Sequence, residues 1–227
     1  PPKNEIWGPP PHQGIDEEFP PDWIIECCEQ SLRNLDVDCI DVLLLHTWNM
    51  SWSDRTEWYE AMLKLRQAGK IRANGISVND QLVNQANVHI EAGRVDVIEV
   101  VYNIFEQLPE YELFPLAKKH DVGIIARTPL QAGILTGKYT TNTIFPQGDW
   151  RREWTPPDWL AKNLAMVEKV RPVIEATGMS MATAALKFCL SHPTVSTVIP
   201  GGRNPRQVEM NMVASESFAL PARTIDI

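Results

Sequence analysis

The chain has 227 residues, 44% of them hydrophobic, and a formal net charge of −8, enough apolar material for one α/β core of ordinary size. The acidic balance argues against a nucleic-acid backbone or an anionic membrane as the main partner, and no run approaches the ~20 apolar residues of a membrane span. Cys27, Cys28, Cys39 and Cys189 show no CxxC spacing, so they read as reduced core residues of a cytoplasmic protein without a metal site.

In chain order, prolines crowd residues 1–22 and predict an extended surface loop. The start, Pro1-Pro2-Lys3, has neither an initiator Met nor a signal-peptide pattern, and reads as a chain missing its beginning. Asp22 is a candidate cap for a helix whose apolar positions are Trp23, Ile24, Cys27, Cys28, Leu32 and Leu35. Ile40 and residues 42–45 form a short apolar run that predicts a strand buried on both faces. The run ends in His46, at the C-terminal strand end where parallel α/β folds gather their chemistry.

The tryptophan-rich stretch 47–52 reads as a loop, and Asp54 as the cap of a helix through Ala68 with Trp58, Met62 and Leu65 facing inward. Lys70 and Arg72 fit a solvated turn. Strands are predicted over 73–78, ending in Ser77 and Asn79; over 95–101, closing on Tyr102 and Asn103; and over 122–126, stopping at Arg127, Thr128 and Pro129. Helices over 81–92 and 108–120 connect them. Segment 131–158 is far longer than the usual ~2–6-residue connection and is expected to be a functional loop.

Leu160, Leu164, Val167, Val170 and Ile174 resume helical spacing, with Pro172 inside it, and 181–190 forms a further helix. A fifth strand over 195–199 ends in Pro200-Gly201-Gly202, followed by Asn204 as cap and Pro205 in the first turn of a helix to about Ala214. Five repeats of strand, polar strand end and helix fit either a doubly wound sheet or most of a (β/α)₈ barrel. No glycine-rich dinucleotide fingerprint follows any strand, which favours the barrel.

The strand ends His46, Ser77-Val-Asn79, Tyr102-Asn103 and Arg127-Thr-Pro-Leu130, with Leu135-Thr-Gly-Lys-Tyr139, Ile199-Pro-Gly201, Gln207 and Asn211, together resemble the aldo-keto reductases. The likeness is nearest to bacterial reductases of the inositol-utilisation type and to the potassium-channel beta-subunit branch. It implies a single (β/α)₈ TIM-barrel domain over 1–227, N-terminally truncated to roughly strands four to eight with their helices. It also implies NADPH as cofactor, with NADH possible, a small-molecule aldehyde or ketone as substrate, and the 131–158 loop lying over the cofactor.

By that resemblance His46 orients the substrate carbonyl, with Trp48 in the substrate pocket. Ser77 and Asn79 hold the nicotinamide carboxamide, and Glu99 stands where relatives often carry glutamine. Arg127 replaces an aromatic residue that stacks on the nicotinamide; it either stacks in turn or faces a carboxylate such as Glu99. Thr128, Pro129, Leu130 and Lys138 match the pyrophosphate cradle. Gly201, Arg203, Gln207 and Asn211 match the adenosine end, Arg203 meeting a 2′-phosphate, while Met210 replaces a common acidic residue and Arg151 and Arg152 read as surface arginines.

The family's catalytic aspartate, tyrosine and lysine match no residue here. A nicotinamide-binding regulatory module without turnover is the rival reading. A (β/α)₈ enzyme using His46 as base or metal ligand is a weaker one, because Asp36, Asp38 and Asp41 lie toward the opposite strand end.

Overall fold

The computed structural model describes residues 3, 12–80, 82–216 and 220. They form the series α1 (Ile15–Glu18), α2 (Pro21–Leu35), β1 (Ile40–His46), α3 (Glu57–Gln67), β2 (Ile71–Ser77), α4 (Asn87–Glu91), β3 (Val97–Val101), α5 (Leu113–Lys119) and β4 (Gly123–Arg127). There follow α6 (Arg151–Trp154), α7 (Pro157–Glu175), α8 (Met181–Ser191), β5 (Val195–Val198) and α9 (Pro205–Met212). The strands lie in one five-stranded sheet in sequence order, and β1–β2 and β2–β3 are parallel. An α/β chain with this sheet is what part of a (β/α)₈ barrel presents, as the sequence led us to expect.

Several local expectations are corrected. Part of the predicted proline loop (residues 1, 2 and 4–11) lies outside the described residues, but 15–18 is helical, with Ile15, Glu18 and Phe19 buried. Helix α2 begins at Pro21 with Pro20 at the cap position, so Asp22 sits in the first turn, where its carboxylate faces the helix dipole. Thr56, not Asp54, precedes α3. The two connecting helices each split into a 3-10 turn and a shorter α-helix: Val83–Ala86 before α4, and Leu108–Glu110 before α5. Gln81 lies outside the described residues.

Strand β1 is not buried on both faces. Only Leu45 is buried, while Ile40, Val42, Leu43 and Leu44 are half-covered, because β1 comes first in the sheet order and pairs with β2 alone among the described strands. Arg72 lies in β2 rather than a turn and meets Asp41 of β1 at 2.5 Å, and Lys70 pairs with Glu29. Segment 131–158 is not featureless: a 3-10 turn (Gln131–Thr136) and α6 lie in it, and α7 starts at Pro157.

The chain divides into two compact units, Pro1–Val100 with Leu108–Ile125, and Val101–Gln107 with Ala126–Ile227. In the first, Trp48, Trp52, Trp58, Met62, Ile76, Ile90 and Ile98 are fully buried, each large apolar side chain contributing about 1.5–3 kcal/mol. Backbone approach is closest at Gly75: a Cβ there would stand 1.9 Å from Val97 O, so β2 can pair with β3 only with glycine at this point. One residue earlier on each side, Asp96 accepts from Asn74 N (2.9 Å) and pairs with Arg66, tying α3 to β2. In the second unit, Tyr102 stacks on Phe188 at 5.6 Å, and Lys187 of α8, itself buried, donates to Ala214 O (3.1 Å) and Glu216 O (2.7 Å).

All four cysteines are free; Cys28 and Cys189 are buried, Cys27 and Cys39 half-buried. Burial pushes the Cys189 thiol up to about 12.

Candidate active site

In the first unit, parallel pairing sets three polar residues in one row: His46 and Ser77, the last residues of β1 and β2, are in register, and Ser77 is in register with Glu99 in the middle of β3. Ser77 is fully buried and donates from Oγ to Glu99 Oε1 at 2.7 Å; His46 Nδ1 lies 3.4 Å from the same oxygen. The imidazole is 35% exposed, which leaves it surface for a ligand. Glu99 therefore serves two neighbours at once, a hydroxyl donor and an imidazole, from a nearly buried position where each charge-assisted contact counts.

Asn79, half-buried, donates from Nδ2 to Trp48 O (3.2 Å), and its backbone N donates to Gln85 Oε1 (2.9 Å). Trp48 has a different setting from a pocket wall. Its indole has no solvent-facing surface and packs edge-on against Trp52 (5.5 Å), Trp58 (5.3 Å) and His89 (4.8 Å). The tryptophans after His46 thus build core beneath the loop.

In the second unit, Asn103 is fully buried and donates from Nδ2 to Thr128 O and Gln131 Oε1, both at 3.1 Å. It pins the turn after β4, where Thr128, Gln131 and Ala132 take positive φ (51°, 45° and 53°) beside Gly133 (95°). Left-handed non-glycine residues cost of order 1 kcal/mol each and cluster where backbone N–H groups must face a ligand. Pro129 is buried, Leu130 half-buried and Arg127 half-buried at the end of β4; Thr128 and Lys138 are exposed.

Asn204 caps α9 as expected, accepting from Gln207 N at 3.0 Å. Gln207 Oε1 accepts from Arg203 N (2.7 Å), and Asn211 Nδ2 donates to Gly201 O (3.3 Å), so both side chains hold the 201–203 loop onto α9. A Cβ on Gly201 would meet nothing within 4 Å, so the space beside it is open. Arg203 is 65% exposed and donates from Nη2 to Asp149 Oδ2 at 3.0 Å.

Asn103 stood among the strand-end motifs without a role of its own, and Asp149 carries no motif. Arg151 grips Asp149 as a fork through Nε and Nη2, lies 4.7 Å over the Phe145 ring, and donates from Nη1 to Tyr139 OH at 2.5 Å. It is therefore an internal residue, not the surface arginine expected. Hydrogen bonds from Arg151, and after them from Arg203, hold the Asp149 carboxyl well below the usual range. Only Asn103 carried a sequence signal, as a polar residue closing an apolar strand; Asp149 sits in a stretch without periodicity.

In the second unit, the exposed Lys138 and Arg203 and a turn of left-handed residues are groups that suit phosphates; in the first, the Ser–Glu–His row is a polar set that suits a carboxamide.

The aldo/keto reductase family profile matches residues 10–227. An NADH-specific methylglyoxal reductase of Escherichia coli (strain K12) is 26% identical over 86% of this chain and 60% of its own length. A probable voltage-gated potassium channel subunit beta of Arabidopsis thaliana is 30% identical over 87% of this chain and 62% of its own. Among solved structures, a glycerol dehydrogenase from Gluconobacter oxydans superposes with a TM-score of 0.75 at 29% identity, covering 91% of this chain and 62% of that one. The chain thus spans about three fifths of the length of the curated relatives it matches. With a profile that takes in nearly every residue, the chain belongs to the aldo/keto reductase family.

Proposed function

We propose that the full-length protein reduces an aldehyde or ketone to the alcohol with NADPH, NADH being a possible alternative, the carbonyl oxygen taking its proton from the family's tyrosine, which matches no residue of this chain. The observation that carries this reading is the Ser77–Glu99–His46 row, a polar constellation across three adjacent strands, at the C-terminal ends of β1 and β2 and the middle of β3, in a chain of this family. Bound in reduced form, the nicotinamide supplies the hydride. Asn79 and the Ser77–Glu99 pair hold its carboxamide, Glu99 accepting from the amide NH₂. His46, set in the row beside Glu99, presents an N–H to the substrate carbonyl oxygen and fixes its orientation. Thr128, Pro129, Leu130 and Lys138 receive the pyrophosphate, Gly201 and Arg203 the adenosine end, and segment 131–158 lies over the cofactor. Gln207 and Asn211 act through the loop they hold.

The test is NADPH consumption with simple aldehydes, alongside calorimetric titration of the dinucleotide. Saturable turnover, with His46→Ala slowed about 100-fold while binding stays within twofold, is the expected result. A chain that binds dinucleotide and turns over no carbonyl supports the second reading, a regulatory nicotinamide-binding module, which the likeness to a potassium channel subunit beta favours.

A further inference from the structure

The Asp149–Arg203 pair lies beside a cavity of about 560 Å³ lined by Gln147, Gly148, Asp149, Trp150, Arg152 and Glu153. Asp149 is a built part of this place rather than a loop carboxylate: its side chain is 8% exposed, forked by Arg151, and still reaches Arg203 at 3.0 Å. Arg203 is 65% exposed and, among the described residues, its guanidinium pairs with Asp149 alone, so a dianion approaching it must compete with a fixed carboxylate. A ribose hydroxyl makes no such demand. It can donate to the carboxylate without displacing anything, which is the chemistry by which an acidic residue accepts NADH and an arginine accepts NADPH. Here both groups stand on one site and already bind each other.

We propose that Asp149 is a specificity-determining residue: it neutralises Arg203 and so lowers the protein's preference for a 2′-phosphorylated dinucleotide over its 2′-hydroxyl counterpart. Trp150, 56% exposed on the cavity wall, offers the adenine a face. The inference rests on the dinucleotide reading above and deepens it at the adenosine end.

The experiment is calorimetric titration of the full chain, and of Asp149→Asn and Arg203→Met, with NADPH, NADH and adenosine 2′,5′-bisphosphate. Asp149→Asn keeps a hydrogen-bond acceptor for Arg151 while removing the charge. The expected result is a roughly tenfold rise in the NADPH-to-NADH affinity ratio, with the bisphosphate tightening in parallel. Arg203→Met brings the ratio close to one and cancels the effect of Asp149→Asn in the double variant. If both dinucleotides bind and the ratio moves less than twofold in Asp149→Asn, the role of Asp149 is overturned while the dinucleotide reading stands. If the parent chain binds neither dinucleotide, the reading itself fails and the inference with it. Arg203→Met alters an exposed side chain, so it remains informative if Asp149→Asn does not fold.

Discussion

The Ser77 hydroxyl and the Glu99 carboxylate face each other across β2 and β3 at 2.7 Å, the first fully buried and the second nearly so. A carboxylate in that position depends on its donors. Ser77→Ala leaves Glu99 Oε1 without its hydroxyl and is expected to cost about 1.5–3 kcal/mol of unfolding free energy, read from urea denaturation. Glu99→Gln keeps an acceptor for Ser77 and adds a donor for the carboxamide oxygen, so NADPH should bind several-fold tighter by calorimetry. An unchanged affinity in Glu99→Gln would remove Glu99 from the carboxamide contact.

His89 makes the stability of the first unit pH-dependent. It is fully buried between Trp48 and Trp58, its ring nitrogens have no hydrogen-bond partner among the described residues, and burial pushes its pKa down to about 4, with Arg94 adding to the effect. Between the ordinary histidine value of about 6.5 and 4, the unfolded chain takes up a proton that the folded chain refuses. Stability is therefore whole above about 6.5, falls as pH drops toward 4, and levels off below; the total is on the order of 3 kcal/mol. Urea midpoints measured from pH 7 to 4 should slope accordingly in the parent and lose that part of the slope in His89→Leu.

Gly75→Ala is expected to be the most damaging single methyl group in the first unit. Its Cβ would stand 1.9 Å from a backbone oxygen of the paired strand, which cannot rotate aside. A loss of at least about 3 kcal/mol, or failure to accumulate soluble protein, is the anticipated outcome. Wild-type-like denaturation would show that β2 and β3 do not pair as described.

Lys187→Met tests the second unit. The ammonium donates to Ala214 O and Glu216 O from inside the structure, so its loss strands two carbonyls and should cost about 2 kcal/mol. The local signature is earlier proteolytic cleavage near residue 216, with α8 retained.

Much of the architecture was legible because it is periodic. The apolar runs around Val42, Ile98 and Ile124 marked strands, and Asn204-Pro205 announced α9 by the chemistry of its cap. What pattern could not show was neighbourhood. Nothing in the spacing of His46, Ser77 and Glu99 says that parallel register sets them in a row, so the hydrogen bond between Ser77 and Glu99 could not be read from the sequence. Trp48 follows His46 and invited a pocket role, yet a side chain's direction after a strand depends on what lies beneath it. Arg151 and Asp149 sit in a segment without period, where burial is decided by the fold of the loop itself. The half-covered state of β1 reflects its place in the sheet order, which an apolar run does not encode.

The packing of Trp48 against Trp52 and Trp58 at 5.5 and 5.3 Å also gives the molecule an optical division of labour. Of its eight tryptophans, these three are held in a dry apolar setting and emit toward the blue, close enough to share excitation, whereas Trp150 and Trp154, 56% and 65% exposed, emit toward the red and are open to acrylamide. Melting of the first unit is thus visible at the blue edge of the spectrum, and events beside Asp149 at the red edge, from one unlabelled sample.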